Sequence, residues 1–191
     1  MKEEGEPSGG ADTRSGLLVL TGASHTGKTS VARALLDLAP PSVALVGVDK
    51  VIDETLVRPP GNPWREIPLA YELLRPQVEL LLRRGWSVIL ESTFTFVPDA
   101  GEPELHLDQL EALLHLADRL SRPSQVVQLM PGRETVRERA GTTGRLDPGV
   151  VARTLDLHEA ATLPPETMKL EDGVSSPEDL ARAILARLDF L

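Results

Sequence analysis

Residues 22–29 read Gly22-Ala23-Ser24-His25-Thr26-Gly27-Lys28-Thr29. They follow the apolar run Leu17-Leu18-Val19-Leu20-Thr21 and lead into Ser30-Val31-Ala32-Arg33-Ala34-Leu35-Leu36. The pattern is strand, glycine-rich turn, helix, with the turn spelled G-x-x-x-x-G-K-[ST], the P-loop signature. The chemistry explains the spelling. Backbone N–H groups can wrap a phosphate chain only where no Cβ intervenes, which calls for Gly22 and Gly27, and the bound anion then lies at the positive end of the next helix. Lys28 reaches the β- and γ-phosphates, and the Thr29 hydroxyl is placed to ligate Mg²⁺. A chance match would not also be flanked by a buried-strand pattern and a helical one. The stretch therefore predicts a site for ATP or GTP with Mg²⁺, held by Gly22, Ala23, Ser24, His25, Thr26, Gly27, Lys28, Thr29 and Ser30.

Composition narrows the class. A chain of 191 residues is expected to form one domain able to bury a full core. The absence of cysteine excludes disulfides and thiolate metal sites. His25, His106, His115 and His158 show no metal-ligand spacing. No apolar run approaches the ~20 residues of a membrane span, and the first residues lack the regions of a signal peptide, so a cytoplasmic protein with no membrane partner is expected. The net charge of −9 argues against a nucleic-acid partner. The pattern specifies no oligomeric state.

Outward from the P-loop, strands and helices alternate. Residues 1–15, rich in Glu, Gly and Ser, read as a disordered tail, and 16–191 as a single kinase-type domain. The first helix is stopped by Pro40-Pro41. Ser42–Val48 reads as a second buried strand with Asp49 at its carboxyl end. Val51–Leu56 suggests a helix and Arg58–Pro63 a loop. Ile67–Arg84 is helical, with Leu69, Leu73, Leu74, Val78, Leu81 and Leu82 on one side; Pro76 predicts a kink or two shorter helices, and Gly85 ends it. Trp86–Leu90 is the third strand, followed by Glu91-Ser92-Thr93, and Phe94–Pro103 reads as a loop. Leu105–Leu120 is an amphipathic helix, Gln125–Met130 the fourth strand, Asp147–Ala161 a helix and Thr167–Leu170 a fifth strand. Ser176-Pro177-Glu178-Asp179 opens the last helix with a cap. The expected architecture is α/β, a five-stranded parallel sheet of order 2-3-1-4-5 with helices on both faces and an arginine-rich lid at about 131–161.

Ligands of such sheets bind beyond the carboxyl ends of the strands. Asp49 is there a candidate general base for an acceptor hydroxyl, against the alternative that it caps the next helix. Glu91 is a candidate for Mg²⁺ or for the acceptor, against a solvated turn residue. Arg133, Arg137, Arg139 and Arg145 lie on the lid, where guanidinium groups can meet phosphate or pair with Glu134 and Glu138; Arg139 and Arg145 are the catalytic candidates and Arg137 a nucleotide contact. Three of the six aromatics, Trp64, Phe94 and Phe96, are placed beside the acceptor, against ordinary core packing.

A guanine-specific N-K-x-D motif cannot be present, since the only asparagine is Asn62. The P-loop, the Val46-Gly47-Val48-Asp49-Lys50-Val51-Ile52 segment, the strand ending in Glu91 and the arginine segment with Leu157-His158-Glu159 together resemble the chloramphenicol phosphotransferase family. That resemblance implies Asp49 as the base for the acceptor hydroxyl. Val88-Ile89-Leu90-Glu91-Ser92-Thr93 is instead similar to the zeta-toxin kinases, which implies acceptor contacts for Glu91 and Thr93. Phe94-Thr95-Phe96 departs from the arginine that follows in those sugar-nucleotide kinases. His158 is assigned no chemistry.

The expected function is an ATP-dependent phosphotransferase acting on a hydroxyl of a small organic molecule, an antibiotic among the candidates. The alternatives are a UDP-sugar kinase, a polynucleotide 5′-hydroxyl kinase, and a non-enzymatic ATP-binding regulatory module.

Overall fold

The computed structural model describes residues 15–56, 66–98, 102–143, 147–171 and 175–191. Trp64, Arg145, the Arg58–Pro63 loop and residues 1–14 of the expected tail lie outside them.

The strands are β1 (Leu17–Thr21), β2 (Val43–Gly47), β3 (Ser87–Glu91), β4 (Thr95–Phe96), β5 (Glu104–Leu105), β6 (Ser124–Leu129) and β7 (Met168–Leu170). Five form one parallel sheet in the order β2-β3-β1-β6-β7. With the two-residue strands β4 and β5 set aside, this is the expected 2-3-1-4-5. β1 is buried along its whole length because it lies at the centre, with helices on both sides. Leu17 and Val19 point into one core layer, with Tyr71, Leu74, Val78 and Leu113. Leu18 and Leu20 point into the other, with Val31, Leu35 and Ile184. The chain alternates faces because successive strand side chains must.

The helices are α1 (Lys28–Leu38), α2 (Val48–Lys50), α3 (Ile67–Arg83), α4 (Leu107–Arg119), α5 (Arg133–Thr143), α6 (Pro148–Ala160) and α7 (Pro177–Leu185), and α2 runs straight into a π-helical turn, Val51–Leu56. The Ser176 hydroxyl caps α7 by accepting from Asp179 N at 3.1 Å, with Pro177 in the first turn. Among the described residues no helix is long and apolar enough to cross a membrane.

Several expectations are corrected. Of the two alternatives at Pro76, two shorter helices do not form: α3 is one helix of 17 residues. Pro76 is on its exposed face, where the carbonyl one turn earlier can turn to water. The buried face of α3 is Ile67, Ala70, Tyr71, Leu74, Val78 and Leu82, while Leu69 and Leu73 are exposed. β2 is only partly buried because it is the edge strand. Trp86 precedes β3 and is exposed. Part of the Phe94–Pro103 loop forms β4, whose Thr95 pairs antiparallel with Leu105.

Phe94 is core. It is 1% exposed and its ring stacks on Tyr71 with centroids 5.6 Å apart. Its φ of +52° turns the chain sharply after β3, and its N–H donates to the Ser92 hydroxyl at 3.0 Å. Tyr71 in turn bonds Ser92 through its hydroxyl, whose pKa burial pushes up, so it stays protonated. Phe94→Ala should therefore cost about 3–5 kcal/mol of folding stability in denaturant titrations; an exposed acceptor wall would lose almost none.

His158 of α6 is buried against β4, with Nε2 3.3 Å from Thr95 Oγ1. Burial first, then the Lys28 charge, lowers its pKa to about 3. A folded-state pKa below the unfolded value means that the folded protein refuses a proton the unfolded chain accepts. Its contribution is present above the unfolded pKa of about 6.5 and is lost as pH falls toward 3. At full difference the loss approaches about 1.4 kcal/mol per pH unit. Stability of His158→Gln should accordingly fall less steeply than that of the parent between about pH 6 and 4.

Candidate active site

The P-loop takes its shape from its glycines. Gly22 has φ +141°, and a Cβ there would come within 2.5 Å of the Leu129 carbonyl oxygen at the end of β6. Gly27 has φ +98° and precedes α1 without a side-chain cap, leaving the first N–H groups of that helix for an anion.

Lys28, the first residue of α1, is 7% exposed. Its Nζ donates to Gly22 O at 3.0 Å and Ala23 O at 2.8 Å. Burial lowers its pKa, while the charges of Glu91 and Asp49 raise it. Without those partners a buried ammonium would be costly. The same carboxylates belong to adjacent strand ends. Parallel pairing sets Leu20 and Gly47 level with Glu91, and Asp49 follows two residues after Gly47.

The Thr29 hydroxyl donates to Glu91 Oε1. These two oxygen donors suit Mg²⁺, a hard cation that commonly takes one or two protein oxygens and completes its shell with phosphate and water. Among the described residues no three His, Asp or Glu side chains converge into a metal cage.

A cleft of about 420 Å³ is lined by Ser24, His25, Gly27, Lys28, Thr29, Ser30, Asp49, Glu91, Thr93 and Arg139, together with Thr142 and Thr143. It thus gathers most of the sequence-predicted residues. Asp49 is not the cap of α2: Gly47 holds that position and Asp49 is in the first turn. Arg139 donates from Nη1 to Thr26 O at 3.1 Å, laying the guanidinium on the loop. Thr143 Oγ1 is 3.5 Å from His25 Nδ1.

The other described residues among those predicted lie outside the cleft lining. Ala23 packs with Val136, Ala140, Val151 and Leu155 beneath α5 and α6, and the Thr26 hydroxyl donates back to Ala23 O at 2.9 Å. Both line a separate cavity behind the loop, with Arg133 and His158. Arg137 is exposed and outside the cleft lining. Arg133 pairs with Asp156 and Glu159 of α6, not with Glu134 or Glu138. Phe94 is in the core, and Phe96 meets His106 edge to face at 5.6 Å, so neither lines the cleft.

Sequence reading missed Thr142 and Thr143, whose spacing carries no motif. It also missed a second opening lined by Arg33, Lys50, Asp53 and Glu54. The four-residue step from Asp49 to Asp53 was the available signal there.

The comparisons bear on this geometry. Residues 17–157 match the family model described as AAA domain. No curated protein sequence matches the chain. Among solved structures, the chain is similar to the tunicamycin resistance protein of Deinococcus radiodurans, at TM-score 0.64 and 16% identity over 91% of this chain and 95% of that one. It is similar to the APS kinase of Mycobacterium tuberculosis in complex with AMPPNP and APS, at 0.64 and 14% over 91% and 96%. A gluconokinase of Sinorhizobium meliloti aligns at 0.61 and 16% over 90% of each chain. At these identities the likeness shows a shared fold. The P-loop kinase fold is therefore the fold of this protein, and the chain belongs to the AAA domain family.

Proposed function

We propose that the protein transfers the γ-phosphoryl group of ATP, or of GTP, to a hydroxyl of a small organic molecule. The observation that carries this reading is the convergence of Lys28, the Thr29–Glu91 pair and Asp49 at neighbouring strand ends beside one cleft. The tunicamycin resistance protein and the gluconokinase on the same fold favour a small acceptor and bring antibiotics among the molecules to test. Such a reaction draws on cytoplasmic ATP.

In the proposed reaction Lys28 leaves its two loop carbonyls for the β- and γ-phosphates. Thr29 and Glu91 would hold Mg²⁺, which when bound would supply neutralisation of the phosphate charge. Asp49 accepts a hydrogen bond from the acceptor hydroxyl and orients it. As the acceptor oxygen bonds to Pγ, the bond from Pγ to the bridging oxygen breaks and ADP leaves with that electron pair. The acceptor proton passes to Asp49. Residues 131–161 act as the lid, and Arg139 brings positive charge to oxygens whose negative charge grows in the transition state.

The test is incubation with Mg·ATP and a panel of hydroxylated metabolites and antibiotics, read as a mass gain of one phosphoryl group. ATP binding with no acceptor-dependent ADP release would leave a nucleotide-binding regulatory module instead. Lys28→Ala should abolish turnover and weaken nucleotide binding; wild-type turnover in the folded variant sinks the proposal.

Asp49→Asn should lower turnover by about 10²–10⁴ with nucleotide affinity little changed or tightened. Silence in both measurements would return the base to Glu91. Arg139→Ala should reduce kcat by about tenfold or more, whereas Arg153→Ala removes only a surface pair with Glu102 and should act far less. Equal effects would show that Arg139 is not a lid contact.

A further inference from the structure

Two openings meet at the reacting centre. Besides the cleft beneath α5, a second one of about 230 Å³ lies between α1 and the α2 segment. Both are lined by Lys28, Thr29, Asp49, Glu91 and Thr93. Four of these shared residues, Lys28, Thr29, Asp49 and Glu91, are assigned to transfer. The cleft beneath α5 adds the P-loop residues Ser24, His25, Gly27 and Ser30, and with them the loop's anion-binding N–H groups. The second opening adds instead Arg33, Gly47, Lys50, Asp53, Glu54 and Ser92. A phosphoryl group passing between two molecules needs such a junction, with donor and acceptor approaching Pγ from opposite sides.

Resting on the proposed kinase reading, we infer that the second opening is the acceptor subsite and that it selects a small polyhydroxylated molecule, uncharged or amine-bearing, without phosphate or carboxylate. Size is the first argument. At 230 Å³ it falls below the ~300–1,000 Å³ usual for drug-sized ligands, which suits a compact molecule better than a sugar nucleotide. Charge is the second. Once Lys28 is committed to the nucleotide and Glu91 to Mg²⁺, three carboxylates, Asp49, Asp53 and Glu54, remain against two cations, Arg33 and Lys50, among the described residues that line the opening. An anionic acceptor would be repelled, while vicinal hydroxyls can donate to the carboxylates and accept from the two cations.

The π-helical turn supplies the third argument. Its bonds run from i to i+5, so the wider turn holds one more residue than an α-turn. Both Asp53 and Glu54 thereby border the opening with Asp49.

Gly47 offers a probe that the backbone tolerates. Its φ of −132° suits any residue, and an added Cβ would stand 3.6 Å from Lys50 Cγ, an ordinary contact. Gly47→Ala therefore narrows the opening without strain.

The experiment compares a panel of monosaccharides, amino sugars and cyclitols with their phosphorylated and carboxylated counterparts. Phosphoryl transfer is measured with Mg·ATP, and binding is measured by calorimetry on protein loaded with Mg²⁺ and a non-hydrolysable ATP analogue. Neutral or amine-bearing members should bind and be phosphorylated. Gly47→Ala should raise their KM about tenfold with unchanged affinity for the analogue. Asp53→Asn/Glu54→Gln should shift kcat/KM toward the anionic counterparts by about tenfold, as removing like charge requires.

If only anionic members are phosphorylated, or both variants leave acceptor KM and preference unchanged, the subsite is wrong and the kinase reading stands. If the analogue binds and no panel member is bound or phosphorylated while a hydroxylated antibiotic is, the subsite is wrong and the kinase reading stands; if no antibiotic is phosphorylated either, both fall.

Discussion

The ammonium of Lys28 is the constraint on which this structure turns. It is buried, its hydrogen bonds go to the P-loop's own carbonyls, and the nearby negative charges of Glu91 and Asp49 come from different strand ends. A charge so placed is tolerable only while all of these partners hold their positions. That demands the parallel register of β1, β2 and β3, and the register in turn demands two apolar layers, one on each face of the sheet. A nucleotide's phosphates can take over from the two carbonyls because the loop already holds the charge in place. Preorganisation of this kind is what makes an electrostatic site effective.

The core explains why Phe94 is absent from the described lining of the cleft. Tyr71 and Phe94 stack beneath β3 and, with Ser92, set the sharp turn that follows Glu91. That turn sends Thr93 to the cleft and Phe94 to the interior. The described lining of the cleft is therefore mostly polar and charged.

α5 and α6 are tied to the rest of the domain by side chains of several elements, the His158–Thr95 contact and the Arg153–Glu102 pair among them. Ala23 joins them to the loop through a small apolar cluster, Arg139 reaches Thr26, and Gln128 donates to the His158 carbonyl at 2.8 Å. The pair is braced internally by Arg133 against Asp156 and Glu159.

Much was legible in the chain itself. The P-loop is local chemistry, since only glycine adopts the required φ without strain and only a short stretch is involved. The strands are legible because a strand buried on both faces must be continuously apolar, as Leu17–Leu20 is, and their order followed from where the P-loop strand must sit. Side-chain destinations were another matter. Leu69 and Leu73 match the apolar period of α3 as well as Leu74 does, and only packing against the sheet decided which of them faced inward. Phe94 and Thr93 are neighbours in one loop, separated by a backbone turn that no spacing announces. Arg133, Arg137 and Arg139 look alike in sequence; one pairs with α6, one faces solvent and one lies on the P-loop. Sequence alone determined which chemistry was present, because motif and periodicity depend on near neighbours. Tertiary structure decided which of those groups meet, because that depends on contacts between residues far apart in the chain.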